Sequence, residues 1–379
     1  MRIKTLKAKI IKNSRNENTI QITINKKFKA SVPSGASTGT HEVKAYKKTA
    51  KYAVDYLNKH HDHWKNKSFD EFYDLETFEN LNLGGNPILA LQLTTLKAMS
   101  NNKIYKYLNP KSKILPTPLG NVIGGGSHTK LKSSDIQEFL LIPKAKTFKE
   151  RYLANKHAYK EIKKKLNTKK LTDEGAFIPN ISTTETLDFL NNYLQDKVLG
   201  IKINLGLDIA ASEFYKNKTY NYKNFSKSNK TNQLKKQEQI NLVNSWISDY
   251  NLKYVEDPLE QEDFRGFSKL DQRALICGDD LITTNIKRLK SAMQQKSINS
   301  IIIKPNQIGS LIKTKEIVDF AHSHNIKTII SHRSGETLDS SISHLAVAWK
   351  IPYIKTGIFG KERESKLKEL LKIENEIKA

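Results

Sequence analysis

The sequence predicts an α/β protein in which repeated strand–helix units close into a barrel, preceded by a smaller α+β unit. Three observations carry this. Six apolar runs, in "GIKINLGLDIA", "LKYVEDP", "ALICGDD", "SIIIKPN", "KTIISHRSGE" and "PYIKTGI", each end in polar or charged residues. Their spacing is regular: 23 residues separate Glu256 from Asp279, 25 separate Asp279 from Lys304, 28 separate Lys304 from His332, and 23 separate His332 from Lys355. One strand plus one helix needs about that length, and such units in series give a parallel sheet that favours closure. Finally, the two prolines and triple glycine of "LPTPLGNVIGGG" mark a boundary near residue 112. They divide the chain into an N-terminal unit over 1–112, which caps the barrel, and a barrel over 113–379.

Taken in order, residues 1–30 alternate apolar and polar around "NSRNENT", as in "TIQITI", which predicts a hairpin. "SVPSGASTGT" is too rich in Gly and Ser for regular structure, so residues 31–40 are expected to be a loop. Helical spacing runs from Tyr46 to Leu57 and from Pro87 to Leu108, with Gly84 and Gly85 at the approach to the second helix. Between Asp208 and Glu256 lies "YKNKTYNYKNFSKSNKTNQLKKQEQ", expected to be a polar surface loop.

Composition bounds the function. A chain of 379 residues with 37% hydrophobic content buries a sizeable core. No apolar run is long enough to span a bilayer, and "MRIKTLKAKI" scatters charge where a secretion signal needs an apolar stretch, so a cytoplasmic protein with no membrane association is expected. Cys277 is the sole cysteine, which excludes an intrachain disulfide and a multi-cysteine zinc site. The net charge of +25 raises the prospect of RNA or another anionic partner, but only eight of the 64 basic residues are arginine. A lysine-rich solvated surface accounts for that makeup, with contact to RNA or a membrane surface as the alternative.

In a barrel, Asp208, Glu256, Asp279, Lys304, His332 and Lys355 converge at the C-terminal mouth. Three carboxylates gathered there repel one another unless a cation joins them. With no cysteine to ligate, oxygen ligands suit a hard divalent ion, Mg²⁺ before Zn²⁺.

Ten segments, "VPSGASTG", "NVIGGGSH", "QEFLLIP", "DEGAFIPN", "LDIAASEFY", "VEDPL", "CGDDLITTN", "IIKPNQIGS", "SHRSGET" and "IKTG", together resemble the enolase family, in that family's order and across nearly the whole chain. The resemblance implies a TIM-like (β/α)8 barrel of the enolase type. It also implies a phosphopyruvate hydratase, a carbon–oxygen lyase of glycolysis and gluconeogenesis that interconverts 2-phospho-D-glycerate and phosphoenolpyruvate with two Mg²⁺ ions. Lys304 matches the base that takes the C2 proton, its pKa depressed by the metal ions and Lys355. Glu174 matches the acid that protonates the C3 hydroxyl, with Glu138 beside it. Asp208, Glu256 and Asp279 match one metal's ligands, and Ser37 matches a loop serine that joins the second metal. Lys355 matches the carboxylate ligand, and Arg333 and Ser334 the phosphate ligands. Gln137, His128 and His332 fall at substrate-binding or substrate-adjacent positions. A homodimer or higher homo-oligomer is implied as well. An enolase-like paralogue acting on another 2-hydroxy acid is the enzymatic alternative, against which the "SHRSGE" phosphate grip argues.

The chain departs from the family pattern in four places. Ala176 stands where a second glycine is usual, and Gly124 where an asparagine is expected, which predicts a looser loop around His128. Segments after "GTHEV" and around "GIFGKERES" are shortened, in regions that contribute to the family's dimer interface.

Overall fold

The computed structural model describes residues 1–35 and 40–379. The N-terminal strands are β1 (Leu6–Lys12), β2 (Asn18–Ile24) and β3 (Phe28–Ser31), an antiparallel sheet in that order. The expected hairpin is therefore present with a third strand, formed because Asn25 and Lys26 adopt left-handed φ and turn the chain back. Helices Ala50–Lys59 and Gly85–Met99 pack on this sheet. The second helix ends eight residues or more before Leu108, at the left-handed Asn101 and Asn102, and a separate short helix covers Ile104–Leu108.

The barrel strands and the excursion follow in chain order. They are β4 (Thr117–Gly124), β5 (Glu138–Lys144), β6 (Lys202–Asp208), β7 (Tyr215–Lys216), β8 (Thr219–Tyr222), β9 (Asn232–Leu234), β10 (Tyr254–Glu256), β11 (Leu275–Gly278), β12 (Ser300–Ile303), β13 (Lys327–Ser331) and β14 (Tyr353–Lys355). Eight of them close in the order β10-β11-β12-β13-β14-β4-β5-β6. All six strands expected from the apolar runs lie in this barrel. One departure from the parallel rule matters: β5 runs antiparallel to both β4 and β6. Its first residue, Glu138, therefore lies at the same end of the barrel as the last residue of β6, Asp208, and the two are register partners.

The barrel interior is filled by Leu119, Leu140, Ile142, Tyr254, Cys277, Ile302 and Ile329, whereas Ile301 and Ile303 join the outer core beneath the helices. This alternation explains "IIIK". Ile302 points into the lumen, so Lys304, two residues on, continues the same face at the mouth. The excursion between β6 and β10 is not simply a loop. Strands β7, β8 and β9 form a small antiparallel sheet, because Tyr220 and Tyr222 are buried and Tyr222 packs with Phe214, Phe225 and Trp246. Its polar composition reflects the residues between them. No helix among the described residues is long and apolar enough to cross a membrane.

Candidate active site

A cavity of about 340 Å³ opens at the barrel mouth, lined among others by Glu138, Glu174, Asp208, Asp279, Lys304 and Lys355. Register puts Glu138, Asp208 and Glu256 side by side on β5, β6 and β10. Their common partner is Lys355, whose Nζ donates to Asp208 Oδ2 at 2.7 Å and Glu256 Oε2 at 2.8 Å. Glu138 Oε2 lies 3.0 Å from the same ammonium, off the line of a hydrogen bond. All four side chains are almost wholly buried. Burial works against the Lys355 charge, yet Asp208, Glu138 and Glu256 outweigh it and hold the ammonium well above its ordinary value.

The acids carry the opposite strain. Burial, with Asp208 adding to it, pushes Glu256 up to about 8. Tyr254 Oη donates to Glu256 Oε2 at 2.6 Å, while the buried Oε1 has no hydrogen-bond partner among the described residues. An unsatisfied carboxylate oxygen in an acid-rich pocket suits a hard cation, so the donor set fits a divalent metal ion. Among the described residues, two groups of three potential ligands have atoms within 4.8 Å of one another: Asp257, Asp279 and Asp280, and Glu138, Glu174 and His128. Of the expected trio, Asp208 and Glu256 meet on Lys355 and Asp279 sits with two acids that sequence reasoning left out, while the charges of both Asp208 and Asp279 act on Glu256. Asp257 accepts the Asp279 and Asp280 amides at 3.0 and 2.6 Å, fixing the turn after β11.

Across the cavity Lys304 pairs with Asp279, and Gln307 Nε2 donates to Asp279 Oδ1 at 3.1 Å. Burial acts to lower the Lys304 pKa, but Asp279 prevails and raises it. The expected depression concerns the site with magnesium bound beside Lys304; without the ions the carboxylate in direct contact dominates.

Glu174 follows Asp173 in a tight turn whose Gly175 has φ 82, a conformation that favours glycine. The next residue, Ala176, has no positive φ, so its methyl is tolerated there. A Cβ at Gly124 would lie 2.6 Å from Thr172 Cγ2 and 3.3 Å from Ala176 Cβ. The two departures thus face each other, and the space an asparagine would need is already filled.

His332 Nε2 is 3.2 Å from Glu174 Oε2, and His128 Nδ1 is 4.0 Å from the same oxygen. Burial alone would raise Glu174, but His332, His128 and Arg363 hold it well below the usual carboxylate range. Glu138 moves the other way, raised by burial, with Glu174 and Asp208 adding to it against Lys355. Gln137 Nε2 donates to Asp208 Oδ2 at 3.2 Å. Arg333 and Ser334 line the same cavity. Arg333 forms a two-pronged pair with Glu42, and its Nη1 also donates to Asn306 at 3.0 Å. Ser37 lies outside the described residues. Residues missed from sequence, Glu42, Asp257, Asp280 and Gln307, all fall within or beside segments already singled out: "GTHEV", "VEDPL", "CGDDL" and "KPNQIGS". Their side-chain chemistry was visible, but their direction was not.

Fold and site define a barrel protein equipped for acid–base chemistry on an anionic molecule, with acidic clusters able to hold a metal ion. A family model described as "Enolase, C-terminal TIM barrel domain" matches residues 112–379. The chain is 38% identical to the enolase of Methanocorpusculum labreanum, the match covering 91% of each chain. It is 36% identical to that of Picrophilus torridus over 99% of each, and 36% identical to that of Methanothermobacter thermautotrophicus over 99% of this chain and 97% of the relative. The chain belongs to the enolase family. The Picrophilus match spans 405 aligned positions against a chain of 379 residues, so this member is shortened by internal gaps.

Proposed function

We propose that this chain catalyses the reversible dehydration of 2-phospho-D-glycerate to phosphoenolpyruvate, in glycolysis and gluconeogenesis. The observation that carries the reading is the gathering of Lys304, Lys355 and the carboxyl pair Glu138 and Glu174 around one cavity. Removing a proton from a carbon beside an ionised carboxylate demands a base on one face, an acid on the other and cations at the carboxylate. Family sites of this kind use a lysine or histidine base with one or two Mg²⁺ ions.

Lys304 takes the C2 proton once its contact with Asp279 is relaxed, since only the neutral amine is a base. Lys355 binds the substrate carboxylate, and Arg333 and Ser334 bind the phosphate. Glu138 and Glu174 form a carboxyl pair with opposed tendencies. Glu174 delivers the proton to the departing C3 hydroxyl, and Glu138, raised by burial, stands beside it. His332 and His128 hold Glu174 in place. Asp208, Glu256 and Asp279, joined by Ser37, are the residues that would hold magnesium, two ions in all. Bound magnesium supplies positive charge against the negative charge that builds on the substrate carboxylate. A cytoplasmic homodimer or higher homo-oligomer, and the division at residue 112, belong to the same reading.

The test is to add 2-phosphoglycerate and Mg²⁺ to purified protein and follow enolpyruvate absorbance. Turnover that requires Mg²⁺ is expected. Folded protein with no turnover would refute the assignment.

A further inference from the structure

Arg333 meets a carboxylate where the proposed reaction needs a phosphate. Its Nη1 and Nη2 donate to Glu42 Oε2 and Oε1, both at 3.0 Å, an end-on fork that matches the spacing of two phosphoryl oxygens equally well. Both side chains are nearly sealed from solvent, 4% exposed for Arg333 and 7% for Glu42, and both line the cavity beside Ser334. Asn306 accepts a further Nη1 hydrogen and so fixes the guanidinium plane from behind. Glu42 itself comes from the N-terminal unit, from the segment before helix Ala50–Lys59, tied down one residue later by the Val43 amide to Gln307 O at 2.9 Å.

We propose that Glu42 is a specificity-determining residue that occupies Arg333 in place of the substrate phosphate and must be displaced by it. The inference rests on Arg333 being the phosphate ligand. An intramolecular carboxylate competes at a high effective concentration, so a monoanionic ligand gains little by replacing it. A phosphoryl group carries nearly two charges and three acceptor oxygens, and it can prevail. Two anions cannot share a buried fork without repulsion, so seating the phosphate moves Glu42 off the guanidinium. Discrimination against 2-hydroxy acids that lack a phosphate then arises from this competition as well as from the grip itself.

The experiment measures inorganic phosphate as an inhibitor competitive with 2-phosphoglycerate in the wild type, Glu42→Gln and Arg333→Lys, with thermal melts to establish folding. Glu42→Gln keeps the shape and removes the competing charge. The expected result is a roughly tenfold lower inhibition constant for phosphate, about 1.4 kcal/mol, and a lower KM without a rise in kcat. A folded Glu42→Gln variant that binds phosphate equally or more weakly overturns the proposal and leaves Glu42 as a clamp that positions Arg333. Glu42→Asp retains the charge but shortens the reach, and a phosphate affinity between the other two is expected. Phosphate inhibition undiminished in Arg333→Lys would instead show that the phosphate site lies elsewhere, which is the separate failure of the underlying reading.

Discussion

Lys355→Met removes one ammonium from among three carboxylates while keeping a side chain of similar length. In metal-free protein the ammonium contacts Asp208 at 2.7 Å, Glu256 at 2.8 Å and Glu138 at 3.0 Å, and none of the partners has appreciable access to water. Breaking a buried ion pair from one side costs about 3–5 kcal/mol, because the charge left behind is uncompensated. The pH dependence gives the effect a signature. Lys355 has a folded pKa well above its ordinary value, so its stabilisation is present throughout the neutral range and is lost only when pH rises through that folded value. Without it the acids must either stay ionised at a cost or take up protons. The loss is therefore larger at pH 8, where proton uptake is least favourable, than at pH 6. Urea melts of chelator-treated wild type and variant at both pH values measure it. A variant within about 1 kcal/mol of wild type at pH 8, or a difference that does not shrink at pH 6, would refute the claim that this cluster is desolvated and held by one cation.

Three further outcomes follow from the same site. Glu256 has a folded value of about 8 against 4.5, so its contribution is complete below pH 4.5 and is lost as pH rises through 8; metal-free protein should lose on the order of 5 kcal/mol across that window from this group, and Mg²⁺ should flatten the decline in calorimetric melts. Lys304→Ala should abolish exchange of the substrate C2 proton with solvent while leaving Mg²⁺-dependent substrate binding largely in place, and NMR exchange measurements decide it. Gly309→Ala should destabilise the fold by about 1–3 kcal/mol and raise KM, because Gly309 has φ 69 and an added Cβ would lie 2.4 Å from Gly85 Cα; unchanged urea melts would contradict that contact.

Much of the barrel was legible because buried strands leave continuous apolar runs, and because strand-plus-helix spacing repeats. What eluded that reading has physical causes. The reversal of β5 is invisible to hydropathy, since a strand reads equally apolar in either direction. Yet it decides that the first residue of β5 faces the site. The tyrosines of β8 were hidden in a polar composition, where burial of two alternate residues suffices for a strand. Among site residues, those at the ends of parallel strands were found by position. Glu42, which reaches the cavity from a loop, was not, because no periodicity governs a loop. The contact between Lys304 and Asp279 was hidden for a related reason: two residues 25 apart in sequence meet only in the folded barrel.

The N-terminal unit and the C-terminal helix act together on the loop that carries His332, Arg333 and Ser334. From the β1–β2 turn, Ser14 Oγ donates to Ser334 O at 3.0 Å and accepts the Glu336 amide at 3.0 Å. Beyond the barrel, helix Lys361–Lys378 supplies Arg363, whose Nη2 donates to Ser334 O at 2.9 Å and whose Nη1 donates to Ser14 Oγ at 3.0 Å. Lys366, fully buried, pairs with Glu336 at 2.6 Å. Residues near the two ends of the chain thus hold one barrel loop through charged and polar contacts in a dry interface, where such contacts are geometrically selective. Rigid support of this kind is what a phosphate grip requires, since an arginine misplaced by an ångström loses most of its forked geometry.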